Sequence, residues 1–290
     1  MKLLDWIPLE NLDWRALSRN PSPGAIELLE KNFEKIHWSF LSVNPAAIHL
    51  LEKNPEKIDW WWLSQNPNAI HILEKNLEKV DWDWLSVNPN AIEILEANPE
   101  KIVWIRLSEN PNAIHMLEKN IEKVDWDWLS VNPNAIHLLE NNPEKICWWW
   151  LSRNPNAIQM LEANPEEIAW VYLSQNQNAI HILEQNINEV DWDCLSENPN
   201  AIHLLEANLE KIYDYQMLSA NPAAIHLLEK NLDKVNWPEL SRNPSIFEED
   251  CQTLCKERTE VLREELMEKT WHPGRFRSWC LEHDDEFFST

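Results

Sequence analysis

The sequence predicts an all-α tandem-repeat solenoid, and three observations carry that prediction. A Leu-Ser pair recurs with a constant period: from Ser42 to Ser196 every spacing is 22 residues. Around each pair the same residues return at fixed offsets, so Trp82, Leu85, Ser86, Asn88, Pro89, Ala91 and Ile92 have counterparts in nearly every unit. The 290 residues also include only 2 Gly but 19 Trp. Scarce Gly argues against hairpin-rich β folds and Gly-rich phosphate loops, and a surplus of one large side chain is itself a mark of repetition.

Eleven units span residues 13–247. The first spacing is 24, because Ser22-Pro23-Gly24 stands where other units have one residue, and the spacing before Ser219 is 23, with the extra residue near Tyr213-Asp214-Tyr215. Each unit reads as two helical segments. The shorter holds Ile102, Trp104 and Leu107 on one face. An Asp often precedes its Trp (Asp59, Asp81, Asp125, Asp191) and suits an N-cap, because a carboxylate accepts from an orphan backbone N–H. The longer opens at Asn88-Pro89: Asn suits the cap and Pro the first turn, where its missing N–H costs nothing. Ala91, Ile92 and Leu95 then form an apolar stripe. The helix stops near Asn98, either in a left-handed cap or, where Pro follows, because of the proline. One such pair cannot bury its apolar face alone, and stacking on neighbours does so. At ~8–10 Å per helix layer, eleven stacked units would extend about 100 Å.

Residues 1–12 are expected as an N-terminal cap and residues 248–290 as a C-terminal capping or docking segment. In the latter, 248–270 is charged and helical in pattern, with Leu254, Leu262 and Leu266 on one face. Trp271, His272, Pro273, Arg275 and Trp279 form a candidate docking motif. Cys251, Cys255, His272, Cys280 and His283 are zinc-type residues, but their spacing matches no common finger, so buried thiols are the expected reading.

The unit Trp-x-x-Leu-Ser-x-Asn-Pro-x-Ala-Ile-x-Leu-Leu-Glu-x-Asn resembles a short repeat of proteins from giant DNA viruses of amoebae, such as marseilleviruses and mimiviruses. The Trp271-His272-Pro273 ending with Arg275 is similar to a tail those proteins carry. The resemblance covers nearly the whole chain. It implies a viral protein acting in host cytoplasm, a viral factory or the virion, and it brings no catalytic residues.

In a stacked array each repeat position becomes a ladder of side chains. Constant ladders are read as structural and varied ones as candidates for binding. The Trp ladder (Trp60, Trp82, Trp104, Trp126 and equivalents) is expected in the core. Two residues on, the units carry Ala16, Phe40, Trp62, Trp84, Arg106, Trp128, Trp150, Tyr172, Cys194, Met217 and Glu239, and the position between is equally varied. Aromatic residues and Arg are the types that dominate interface energies. Trp61, Trp62, Asp83, Trp84, Arg106, Asp127, Trp128, Trp149, Trp150 and Tyr172 are therefore the candidate partner-binding stripe. A His ladder (His49, His71, His115, His137, His181, His203, His226) is read as a solvated surface, since rungs one helix layer apart cannot share a zinc with ligands at ~2 Å. Rows of Glu give an acidic outer face.

The formal charge is −24, the wrong sign for direct nucleic-acid binding. Five scattered Cys and the absence of a signal-peptide pattern place the chain in a reducing compartment. No stretch suits a membrane span. No Gly-rich phosphate loop, His-Glu-x-x-His or Gly-x-Ser-x-Gly is present, so no enzyme activity, cofactor or metal is expected. The expected function is a non-enzymatic scaffold for protein–protein interaction. A structural or cement component of a virion and an acidic decoy for basic proteins such as histones are the alternatives.

Overall fold

The computed structural model describes residues 1–250, 259–260 and 262–267. They divide into two compact units: residues 3–247, and residues 1–2 with the C-terminal segment. The larger unit is all-α and repetitive, as the sequence predicts. A typical repeat contributes a Trp helix, such as Trp82–Val87 (its counterpart in the tenth unit is Tyr215–Ala220), and a second helix, such as Ile92–Ala97, which a 3-10 turn such as Pro99–Lys101 links to the next Trp helix. Among the described residues no helix is long and apolar enough to cross a membrane.

Local chemistry explains the short elements. Asp59, Asp81, Asp125 and Asp191 cap their Trp helices by accepting from the backbone N–H three residues on. The second helix is shorter than its pattern suggests. Asn88 accepts from the N–H of Asn90, and regular α-helix begins only at Ile92. Where no Pro follows, as at Asn120 (φ −134°, ψ 47°), the terminal Asn does not adopt the expected left-handed conformation, and among the described residues none has positive φ; Asn98, before Pro99, has the same geometry. Asn98 sits at φ −134° and ψ 59°, and its Nδ2 donates to the Ile94 carbonyl at 2.8 Å. A side-chain amide therefore satisfies an orphan carbonyl that a left-handed cap would otherwise have met.

Between repeats the core is apolar but cross-linked by two polar ladders. Leu and Ala positions such as Leu85, Ala91 and Leu95 are fully buried, and so are Ser86 and Asn88. Buried polar groups are tolerated only when hydrogen-bonded, and these are. Each Asn donates from Nδ2 to two carbonyls of the preceding unit; Asn110 reaches Ser86 at 3.0 Å and Asn88 at 2.9 Å. Each Ser donates to the carbonyl of the residue that opens its own helix, Tyr215 in the tenth unit and Trp in the others, and accepts an N–H from the next unit, as Ser86 does from Val103 at 3.1 Å. The Ser ladder lacks one rung. At the 23-residue unit the N–H groups of Tyr213 and Asp214 turn to Asp193 Oδ1 instead of Ser196.

The ladders do not end. Asn20 of the first unit donates to the carbonyls of Ser241 and Asn243 in the last, each at 2.9 Å. The N–H of Asp13 donates to Ser241 Oγ at 2.9 Å. The first Trp helix, Trp14–Leu17, packs on the last, Trp237–Arg242, as neighbours do elsewhere. Residues 3–247 are thus a closed ring of eleven units, not the open array of about 100 Å expected from stacking ~8–10 Å layers. A small rotation at each joint, repeated eleven times, brings the chain back to its start.

Residues 1–12 consequently do not cap a free end. The eleventh unit is split between the termini: residues 237–247 supply its Trp helix and Asn-Pro turn, and the N-terminal segment supplies the rest. The 3-10 turn Leu9–Asn11 stands where Pro99–Lys101 stands in an internal unit, with Ile7 and Leu12 buried. The N–H of Leu4 donates to the Ile246 carbonyl at 3.0 Å, and strands β1 (Lys2–Leu3) and β2 (Phe247–Glu248) pair. Of the C-terminal segment, residues 259–260 and 262–267 are helical, with Leu262 and Leu266 exposed. Leu254, the Trp271–Trp279 motif and the zinc-type residues Cys251, Cys255, His272, Cys280 and His283 lie outside the described residues.

Candidate interaction surface on the inner face of the ring

Most Trp helices meet a neighbouring Trp helix closely, whereas the second helices stand farther apart. In a curved stack the closer layer is the inner one, so the Trp helices line the ring. Leu and Ser, fourth and fifth in each Trp helix, point into the wall. Helical geometry turns the third and sixth residues the opposite way, into the opening, with the second towards one rim. Eleven helices at ~8–10 Å spacing enclose a circle roughly 30 Å across between axes, which side chains narrow to an opening on the order of 20 Å.

The predicted stripe therefore lies on the inner face. Its third-position members are half-buried although none is in the core, because a concave surface crowds them together. Phe40 meets Trp62 edge-on at 5.6 Å, and Trp61 bridges Trp62 and Trp84 at 4.6 and 5.1 Å. The Arg106 guanidinium lies over Trp84 at 5.2 Å and Trp128 at 5.7 Å. Trp128 stacks on Trp150 at 5.3 Å, and Tyr172 contacts both Trp149 and Trp150. The result is a continuous band through seven units, held by aromatic and cation–π contacts. Trp149 is 63% exposed and Trp61 44%; Asp83 and Asp127 are exposed beside them. Past Tyr172 the band gives way to Cys194, Met217, Glu239 and Ala16. The small and polar residues at both ends of the linear array become one arc once the ring closes.

The sixth position was not singled out from the sequence. It carries Arg19, Glu109, Arg153, Glu197 and Arg242, one helical turn from the third position and on the same face. Burial raises the pKa of the Glu109 carboxyl, and Arg106 and Arg153 partly oppose that shift. Burial lowers that of Arg19, as does neighbouring Arg242, while Glu239 acts against both. Burial pushes the Cys194 thiol up to about 12, with Asp191 and Asp193 adding to the effect. One sequence signal could have marked this position. All five arginines of residues 3–247 (15, 19, 106, 153 and 242) lie within or just after a Trp helix, and none of the lysines does.

The other ladders have structural explanations. The Trp ladder is half-buried rather than enclosed. One face packs on the core, and the other is often covered by a Lys of the next unit, as Lys123 covers Trp104 at 4.5 Å. Each ladder His meets a Glu of the preceding unit, as His115 meets Glu96 at 2.9 Å, with both partners about half exposed. Exposed pairs of this kind contribute ~0–1 kcal/mol each.

The fold and this surface define a closed α-helical repeat ring with an aromatic, arginine-bearing lining. No family model, curated protein or solved structure matches the chain.

Proposed function

We propose that the protein is a non-enzymatic binding ring whose inner face holds a polypeptide partner. One observation carries the reading: positions that build the wall repeat almost without change, while those facing the opening vary and are rich in Trp, Tyr and Arg. An opening on the order of 20 Å admits an extended chain or one helix of ~10–12 Å diameter. Trp and Tyr supply large contact areas at small entropic cost, and Arg adds directional hydrogen bonds. Asp83 and Asp127 between exposed aromatics favour a partner carrying Lys or Arg. A viral origin and a site of action in host cytoplasm follow from the repeat resemblance and belong to this proposal.

The test is affinity capture from lysate with wild type and a Trp62/Trp84/Trp128/Trp150→Ala variant, washed at low and high salt. A partner held by wild type at high salt and lost by the variant supports the reading. Equal recovery by both proteins sinks it. The exposed Glu rows support a second reading, an acidic decoy, which predicts a set of basic proteins released together by salt whichever ring is used.

A further inference from the structure

The arc that lacks aromatics contains a cleft of about 280 Å³ at the joint between the first and last units, lined by Asp13, Arg15, Ala16, Arg19, Phe40, Pro238, Glu239 and Arg242. Its origin is Ala16. Other units place Phe, Trp, Tyr, Met, Arg, Glu or Cys at this third position, so Ala16, the smallest of the set, leaves a notch between Phe40 and Glu239.

Three guanidinium groups border the notch. Arg15 and Arg19 both lie over the Phe40 ring at 5.4 Å, and Arg19 also lies 5.3 Å from Trp62. Arg242 is held by Glu239 at 2.8 Å. The other acid present, Asp13, is committed as a cap, accepting from the N–H of Ala16 at 2.8 Å. Among the described residues neither Arg15 nor Arg19 has a carboxylate within ion-pair distance. Two unpaired arginines therefore share one aromatic ring, with a third close by, in a chain of net charge −24. Acidic side chains are abundant everywhere else, so the grouping has no explanation in a general need for positive charge. Crowding and desolvating like charges is unfavourable unless something neutralises them.

We propose that this cleft is an oxyanion site that binds a phosphoryl group, free or carried on a residue, between Arg15 and Arg19 of the first unit and Arg242 of the last. Guanidinium forks match the oxygens of phosphate, and a dianion balances two unpaired cations better than one carboxylate does. The ligand touches both sides of the joint, so its binding tightens ring closure. The site borders the aromatic band at Phe40 but needs no polypeptide partner.

The experiment is calorimetric titration of the full chain with inorganic phosphate, and separately with O-phosphoserine, against chloride at equal ionic strength. Thermal denaturation is followed in parallel. Wild type is expected to bind one equivalent of phosphate saturably and to gain thermal stability in step with occupancy. Ala16→Trp fills the notch with a residue already used at this position by other units and leaves every charge in place. It is expected to weaken binding at least tenfold, and so is Arg15→Gln/Arg19→Gln. Binding of O-phosphoserine comparable to that of phosphate assigns the site to carried phosphoryl groups, and binding of phosphate alone assigns it to the free ion. Absence of saturable binding of either probe, or binding unchanged in both variants, overturns the proposal.

Discussion

Replacing Asn20 by Ala tests ring closure directly. In an internal unit such as that of Asn110, the amide makes three bonds: two from Nδ2 to the previous unit and one accepted by Oδ1 from the N–H of Asn112 at 3.0 Å. Asn110 is fully buried. Asn110→Ala orphans two carbonyls and one N–H, at ~1–3 kcal/mol for each group left without a partner. Partial relaxation reduces the sum to about 3–6 kcal/mol. Asn20 makes the same three bonds, but its Nδ2 partners, Ser241 and Asn243, lie at the opposite end of the sequence. In a closed ring Asn20→Ala therefore costs as much as Asn110→Ala. In an open array the Nδ2 group would face water and only the cap to Ser22 would be lost, worth ~1 kcal/mol. Urea denaturation of the two variants, followed by Trp fluorescence, separates these cases by several kcal/mol. A near-neutral Asn20→Ala beside a costly Asn110→Ala would refute closure.

Two further outcomes follow from single sites. A Cβ on Gly24 would come within 2.5–2.9 Å of Phe247, so Gly24→Ala is expected to lower stability by ~1–3 kcal/mol through overpacking despite the better helix propensity of Ala; Phe247→Leu should recover part of the loss, read as Tm. The Cys194 thiol, raised to about 12, is expected to alkylate with iodoacetamide far more slowly than free cysteine at pH 8–9, as followed by mass spectrometry. Because the folded state keeps this proton longer than the unfolded chain, the linked stability is lost as pH rises from the ordinary thiol range towards 12 and is unaffected below it.

Much of the wall was legible because it is local. The 22-residue period, the Asp caps and the apolar stripe are set by contacts within a unit or between adjacent ones, and spacing reports such contacts. Closure was not legible in the same way, because it depends on a small rotation per joint that no single unit displays. Two features did point to it. Trp14, Leu17, Ser18 and Asn20 at one end, and Trp237, Leu240, Ser241 and Asn243 at the other, are the standard internal residues, whereas an open solenoid needs polar end units. Leu3, Leu4, Trp6 and Ile7 are also too apolar for a segment meant to face water. The aromatic stripe is legible through its variability, whereas Arg19, Arg153 and Arg242 sit at a position that other units fill with Val, Gln, Glu or Ala, so no single residue type marks it in the sequence. The cleft depends on Ala16 lying beside unit eleven, a proximity that exists only once the ring is closed.

The unbroken Asn ladder also constrains how such a chain can evolve. An open solenoid lengthens or shortens by duplicating or deleting a repeat, because each joint is indifferent to the total. Closure of eleven units requires about 33° per joint on average, and a twelfth unit would lower that to about 30°. Gene duplication inside the array would therefore yield a mismatched seam rather than a longer binding surface. Diversification is channelled instead into substitutions facing the opening, where the eleven units already differ most.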